Sequence, residues 1–341
     1  MRLALPTVVA ATTLVHLVHA SSGDRSPEYN QCLNACKETH CGPGSVYHPS
    51  LALRLTRWSC IDNCKYDCMH QITEIQLLEG KPVHQYHGKW PFWRLAGMQE
   101  PASVAFSLLN LWAHLRGAAK VRRRVADIHP MKEYYLMWSF VSMNAWMWSS
   151  VFHTRDLPLT EKLDYFSAAL AIMYALYYTT IRLFHLYPSS TAARLTLSER
   201  PSRSLFKTIL ATVCSIGFIF HVAYLSLLPR FDYTYNMAFN LVVGLTHNAL
   251  WTLYSLPVSV MAFQRFRAHP KSYRPKFVGK AGIFVLLTTA ATALELLDFP
   301  PWKGVIDAHA LWHLATAPIA FFWYDFLVQD SQDPSWRVDR L

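Results

Sequence analysis

The sequence predicts an all-α integral membrane protein: a seven-transmembrane helix bundle behind a small, disulfide-rich luminal N-terminal domain. Three observations predict it. Of 341 residues, 52% are apolar and only 16% charged, too few charges to coat soluble globules of that size. Six of the seven cysteines crowd into the stretch from Cys32 to Cys68. From about residue 100 onward, long apolar runs alternate with short polar ones. The chain contains no G-x-G-x-x-G, no Walker-type G-x-x-x-x-G-K-[ST] and no G-x-S-x-G, so phosphate-cradling loops and the serine-hydrolase elbow drop out.

Residues 1–20 combine Arg2, an apolar run to about Leu17 and the small-residue site Val18-His19-Ala20, the pattern of a removable signal peptide. A permanent anchor is the alternative, but the run is shorter than the roughly 20 residues a span needs. Residues 21–100 follow as a luminal cysteine-rich domain. Six clustered cysteines after a signal peptide read as a disulfide framework of an oxidising compartment. The spacings Cys32-x3-Cys36-x4-Cys41 and Cys60-x3-Cys64-x3-Cys68 put the sulfurs on one face of each of two helices. Packed antiparallel, those helices would pair Cys32–Cys68, Cys36–Cys64 and Cys41–Cys60, one of many connectivities open to six cysteines. A zinc ribbon is the rival reading, though it favours two-residue spacing within each ligand pair. Cys214, alone in an apolar stretch, reads as a buried apolar side chain.

Residues 101–328 hold the expected spans, at roughly 101–119, 133–154, 161–183, 205–228, 234–262, 277–297 and 307–328, followed by a cytosolic tail, 329–341. With a luminal amino terminus, the three cytosolic connections carry sixteen Lys and Arg, including Arg122, Arg123, Arg124 and Arg182. The luminal turns carry four: Arg155, Lys162, Arg230 and Lys303. This is the positive-inside asymmetry. It accounts for much of the excess of 32 basic over 22 acidic residues without any nucleic acid as partner.

Ionisable side chains inside spans cost about 2.5–3.5 kcal/mol each at a helix centre, so each needs a reason. His309 and His313 lie one helical turn apart at the start of the last span, the geometry for chelating one metal ion. Ser149 and His153 repeat that spacing at the end of the second span, and Asp164 follows in the first turn of the third. On the expected topology all of these fall in the luminal leaflet. Three imidazoles, His153, His309 and His313, plus water would then complete a tetrahedral Zn2+ site with one open position. Isolated intramembrane histidines more often hydrogen-bond between helices, and His114, His221 and His247 are read that way. Glu295 and Asp298 are read as interfacial rather than as partners of the site.

Ser-x3-His on the second span, Asp on the third and His-x3-His on the seventh, here Ser149, His153, Asp164, His309 and His313, resemble the signature of the CREST superfamily of seven-span hydrolases. That superfamily includes alkaline ceramidases and the progestin and adipoQ receptors. With the signal peptide, the six-cysteine segment and the run Asp307-Ala-His-Ala-Leu-Trp-His313, the chain is most similar to one branch, the Per1-like family, over essentially its whole mature length. The resemblance implies a Golgi or endoplasmic-reticulum membrane protein that remodels glycosylphosphatidylinositol (GPI) anchors by removing the sn-2 acyl chain, with GPI-anchored proteins and membrane lipid as partners. On that reading zinc assists ester hydrolysis, Asp164 shuttles the water's proton to the leaving alcohol, and Ser149 bonds the oxyanion or the attacking water. The same signature also admits a non-catalytic zinc-containing receptor, a chaperone-like factor or a ceramidase-type amidase.

Overall fold

A computed structural model describes residues 21–45, 47–187, 201–257, 264–266 and 268–337, and these form helices, turns and isolated bridges. The expected signal peptide, the end of the tail and the loop cations Arg194, Arg200 and Arg267 lie outside the described residues. The chain divides into two compact units, one ending at Trp93 and including Pro300–Gly304, the other Arg94–Phe299 with Val305–Leu341.

The first unit is a helical hairpin. Helix α1 (Pro27–Cys41) starts where the Ser26 hydroxyl accepts the Tyr29 N–H at 3.1 Å, with Pro27 in the first turn, where a missing N–H costs nothing. A short α2 (Leu51–Leu55) leads to α3 (Cys60–Leu78), which opens on a reciprocal capping box between Ser59 and Asp62. Cys32–Cys68, Cys36–Cys64 and Cys41–Cys60 are disulfide-bonded, with Cα separations of 5.8, 5.7 and 5.8 Å, the nested pattern that two antiparallel helices impose. Sulfur–sulfur bonding of all six removes the zinc-ribbon alternative. Each cross-link, closing a loop of 19 to 36 residues, is worth about 3–4 kcal/mol taken alone. Tyr29, Leu33, Ile72 and Tyr86 fill the small core around them.

Among the described residues the second unit holds seven long helices: α4 (Pro101–Arg124), α5 (Lys132–Thr154), α6 (Pro158–Leu183), α7 (Pro201–Leu227), α8 (Tyr233–Ser255), α9 (Gly279–Glu295) and α10 (Ala308–Gln332). They pack in the cyclic order α4, α5, α6, α8, α9, α10 and back to α4, with α7 outside against α6. Each lies on one of the expected spans. The fifth ends early, because Leu256 stands before Pro257 and is extended. The third begins early, with Pro158 at its first position and the Leu157 N–H donated to Thr160 Oγ1 at 3.0 Å, so Asp164 sits in its second turn, not its first.

Four of the seven, α6, α7, α9 (with Lys276–Val278) and α10, are by themselves long and apolar enough to cross a membrane. The other three are more polar because of what they bury: Ser103, Ser107, Asn110 and His114 on α4; Ser139, Ser142, Ser149, Ser150 and His153 on α5; Asn236 and His247 on α8. These side chains are buried in the bundle: Ser107, Asn110, His114 and His153 reach partners on other helices, Ser139 and Ser150 bond carbonyls of their own helix, and His247 bonds its neighbour Asn248. α7 is the opposite case, with only 11% of its apolar window buried. For that reason Cys214 on α7 is half-buried, not the fully buried side chain expected.

The core is aromatic. Trp251, Trp323, Tyr178, Tyr254 and Phe326 are buried together, with Trp323 Nε1 donating to Tyr178 Oη at 2.8 Å and Trp251 Nε1 to Thr179 Oγ1 at 2.9 Å. Beside it, Arg182 on α6 makes two hydrogen bonds of 2.7 Å to Asp330 on α10, and Tyr254 on α8 donates a third of 2.7 Å to the same carboxylate. Arg182, expected among the loop cations, is thus half of a buried ion pair.

Candidate metal centre

The centre is assembled where α5 ends and α10 begins, with α4 between them. α10 starts at Asp307, whose carboxylate accepts the Ala310 N–H at 2.8 Å and fixes the first turn, so His309 and His313 stack on one face. His153 is the penultimate residue of α5. The carbonyls at a helix C-terminus lack partners within the helix. Here the N–H groups of Gln99 and Glu100 supply them, donating to Thr154 O and His153 O at 3.0 Å each. Pro101, which has no N–H to give, then begins α4. This pairing seats the Glu100 side chain beside the His153 ring.

Three imidazole nitrogens converge. His309 Nε2 lies 3.2 Å from His153 Nε2 and 2.8 Å from His313 Nε2, and all three lie within 4.8 Å of one another. The opposite nitrogen of each ring is held. His153 Nδ1 donates to Glu100 Oε2 at 2.7 Å, His309 Nδ1 donates to Glu295 Oε2 at 2.8 Å, and His313 Nδ1 lies 2.9 Å from Ser107 Oγ. Asn110 Nδ2 donates to the His313 carbonyl at 2.7 Å, tying α4 to the same turn of α10.

A carboxylate only accepts. Glu100 and Glu295 therefore put the ring protons of His153 and His309 on Nδ1 and leave both Nε2 atoms with lone pairs directed at a shared point. Facing lone pairs at these separations repel unless a cation lies between them. A single proton can bridge two nitrogens, whereas a metal ion serves three. Tetrahedral zinc, with Zn–N of about 2.0–2.1 Å, separates its ligand nitrogens by roughly 3.3 Å, close to the spacing found. The donor set fits Zn2+, and the carboxylate behind each of two ligands is the arrangement that orients and strengthens metal-binding histidines.

The centre is asymmetric in access. The side chains of His153 and Glu100 are 3% and 6% exposed, whereas those of His309 and Glu295 are 33% and 38% exposed. Trp146 and Trp312 flank His313, with ring centroids 5.2 and 5.0 Å from it.

Of the five residues singled out in the sequence, the three histidines meet. Ser149 is buried and shares a hydrogen bond of 3.0 Å with Ser107, which places it one step behind His313, on the Nδ1 side of that ring. Asp164 is half-buried on α6, outside the converging group. Glu295 is a correction: the expectation of a merely interfacial carboxylate fails because α9 ends against the first turn of α10 and delivers it to His309. Glu100 and Ser107 were not singled out at all. A signal for Glu100 existed, a carboxylate directly preceding the proline that opens a long helix, but nothing local tied it to His153. Of the three histidines expected to bond between helices, His114 does so, to Tyr324 Oη at 2.9 Å. His247 bonds its neighbour Asn248 instead, and His221 stacks on Phe239 with centroids 4.0 Å apart, because flat rings fill those contacts in place of polar partners.

Comparison with known proteins bears on the same residues. The Per1-like family model matches residues 50–331. Protein PER1 homolog of Schizosaccharomyces pombe is 41% identical over 323 residues, covering 94% of this chain and 90% of its own. GPI-specific phospholipase A2-like PGAP3 of Bos taurus is 39% identical, covering 92% and 91%, and that of Homo sapiens is 38% identical, also covering 92% and 91%. The matched span contains every residue of the histidine centre, and the similarity runs nearly end to end in both directions. The chain belongs to the Per1-like family.

Proposed function

We propose that this protein removes the sn-2 acyl chain from the lipid of GPI-anchored proteins, by hydrolysing its ester in the luminal leaflet of a Golgi or endoplasmic-reticulum membrane. On this reading all seven long helices of the second unit span the bilayer, the disulfide-bonded unit faces the lumen and the tail faces the cytosol. The observation that carries the proposal is the meeting of three Nε2 atoms from α5 and α10, two of them backed by carboxylates. Relatives named GPI-specific phospholipase A2-like supply the substrate class.

His153, His309 and His313 would hold Zn2+. Bound there, the ion supplies Lewis acidity, polarising an ester carbonyl and acidifying water. The protein's own groups do the rest. Glu100 and Glu295 keep the ring protons on Nδ1. Ser107, with Ser149 behind it, orients His313, and we assign Ser149 this positioning role, since an oxyanion donor has to face the side on which the Nε2 atoms converge. Asp164, two turns into α6 and close in sequence to the luminal end of α5, is the proposed proton carrier: it takes the proton of the attacking water and returns it to the alcohol that leaves. The exposed edge at His309 and Glu295 is where an ester group reaches the centre.

The test is lipid mass spectrometry of surface GPI anchors from cells lacking the protein and re-expressing variants. His309→Ala is expected to leave the sn-2 acyl chain in place while the protein still reaches the membrane. Full deacylation by this variant overturns the proposal. Asp164→Asn separates catalysis from a structural metal: a hydrolase loses turnover with metal retained.

A further inference from the structure

A second concave feature lies at the other end of α4 and α10. The two helices run in parallel, since Ser107 meets His313, His114 meets Tyr324, and Lys120 pairs with Asp325. Following these contacts away from the histidines leads to a cavity of about 410 Å³ lined by Arg116, Lys120, Arg123 and Arg124 from α4 and by Phe321 and Tyr324 from α10.

Its charge is unbalanced. Like charges one turn apart on a helix disfavour each other, yet five cations fall within the last nine residues of α4, four of them lining this cavity. Lys120 has Asp325. Among the described residues, Arg116, Arg123 and Arg124 have no acidic partner, and all three are exposed. A rule that merely places basic residues at one side of a membrane asks for neither a concave wall nor an aromatic floor.

The register along α4 is more specific. At roughly 100° per residue, Leu108, Trp112, Arg116 and Arg123 fall within about 80° of one another around the helix and share one stripe, with Lys120 and Arg124 further round. Its first part is apolar and outward-facing, with Leu108 50% and Trp112 51% exposed and Trp112 set edge-on to Phe321 at 5.2 Å. Its second part is cationic. The apolar part covers about one turn, ~6 Å, and the cationic part, Arg116 to Arg124, about two turns, ~12 Å. The floor is preformed: Tyr324 occupies the space a side chain at Gly117 would fill, and its hydroxyl is turned inward to His114 and Ser139.

We propose that this cavity binds an anionic phospholipid of the leaflet opposite the histidine centre, its phosphate among Arg116, Arg123 and Arg124 and an acyl chain along Leu108 and Trp112. Guanidinium groups chelate phosphate oxygens in pairs, and the apolar stripe continues in the direction a lipid tail takes.

The experiment uses the full-length protein in phosphatidylcholine nanodiscs doped with a minority of phosphatidylserine or phosphatidylinositol 4-phosphate, with retained lipid counted by native mass spectrometry. The wild type is expected to retain an anionic lipid in preference to phosphatidylcholine. Arg123→Gln/Arg124→Gln is expected to lose about fivefold in retention per arginine removed. Arg122→Gln removes a neighbouring exposed arginine outside the cavity and is expected to retain the lipid. Unchanged retention in the double variant, or an equal loss in Arg122→Gln, overturns the proposal. So does release of the lipid by inorganic phosphate alone, which identifies a free-anion site. Should the double variant show a lowered thermal midpoint, the single Arg116→Gln variant decides by the same criteria. None of these readouts depends on ester hydrolysis.

Discussion

Glu100 fixes the tautomer of His153, and its effect on the centre separates cleanly into shape and charge. Glu100→Gln keeps an oxygen that can accept from Nδ1, so the ring stays in place while the negative charge behind it is lost. Metal affinity is expected to fall by about 10–100-fold, measured by competition against a chromophoric chelator; unchanged affinity would show that the carboxylate only shapes the site. The same residue marks where sequence reasoning stopped. His309 and His313 were legible because four-residue spacing on one helix guarantees adjacency, and His153 because topology put it at their depth. Glu100 reaches His153 through backbone pairing across fifty-three residues of chain, and no local pattern encodes that. Glu295 was visible, but a carboxylate at a helix end normally faces water, and only the packing of α9 on α10 says otherwise. Ser107 is one of two serines on α4, and only the rotation of the helix into register sets it apart from Ser103.

Among the helices, α4 shows how burial and apolarity part company. Its mean hydropathy is lowered by the cations at its end as well as by the serines, Asn110 and His114 that it turns inward, and the repeated spacing of long helices, not hydropathy alone, made it legible as a long helix. Its contact with α10 depends on Gly117, where an added Cβ would lie 2.1 Å from the Tyr324 ring. Two effects oppose each other in Gly117→Ala. Alanine favours the helix by about 1 kcal/mol, and overpacking costs about 1–3 kcal/mol. The clash wins here because the ring cannot swing away: its hydroxyl is held by His114 at 2.9 Å and Ser139 at 2.8 Å. The variant is expected to melt at a lower temperature in detergent than the wild type, and a rise in the midpoint would show that the ring yields.

Across the whole bundle, the Arg182–Asp330 pair joins α6 and α10, and Tyr254 brings α8 to the same carboxylate. Arg265 adds the segment after α8 by donating to the Tyr254 carbonyl at 2.7 Å. Asp330→Asn leaves a buried guanidinium without its counter-charge and is expected to cost about 3–5 kcal/mol. The apolar double replacement Arg182→Met/Asp330→Leu is expected to recover most of that loss. Thermal midpoints of the two singles and the double, arranged as a cycle, decide the matter, and additive losses would mean that the two residues act independently. In sequence Arg182 was one more basic residue at a helix end, since nothing along the chain shows that a partner arrives 148 residues later. The ring of helices is likewise closed by its first and last members, α4 against α10. Biosynthesis therefore delivers the parts of the histidine centre in a fixed order, and the two that complete it come at the very end. A polypeptide released from the ribosome short of residue 308 carries His153 with nothing opposite it, however well its earlier segments have inserted.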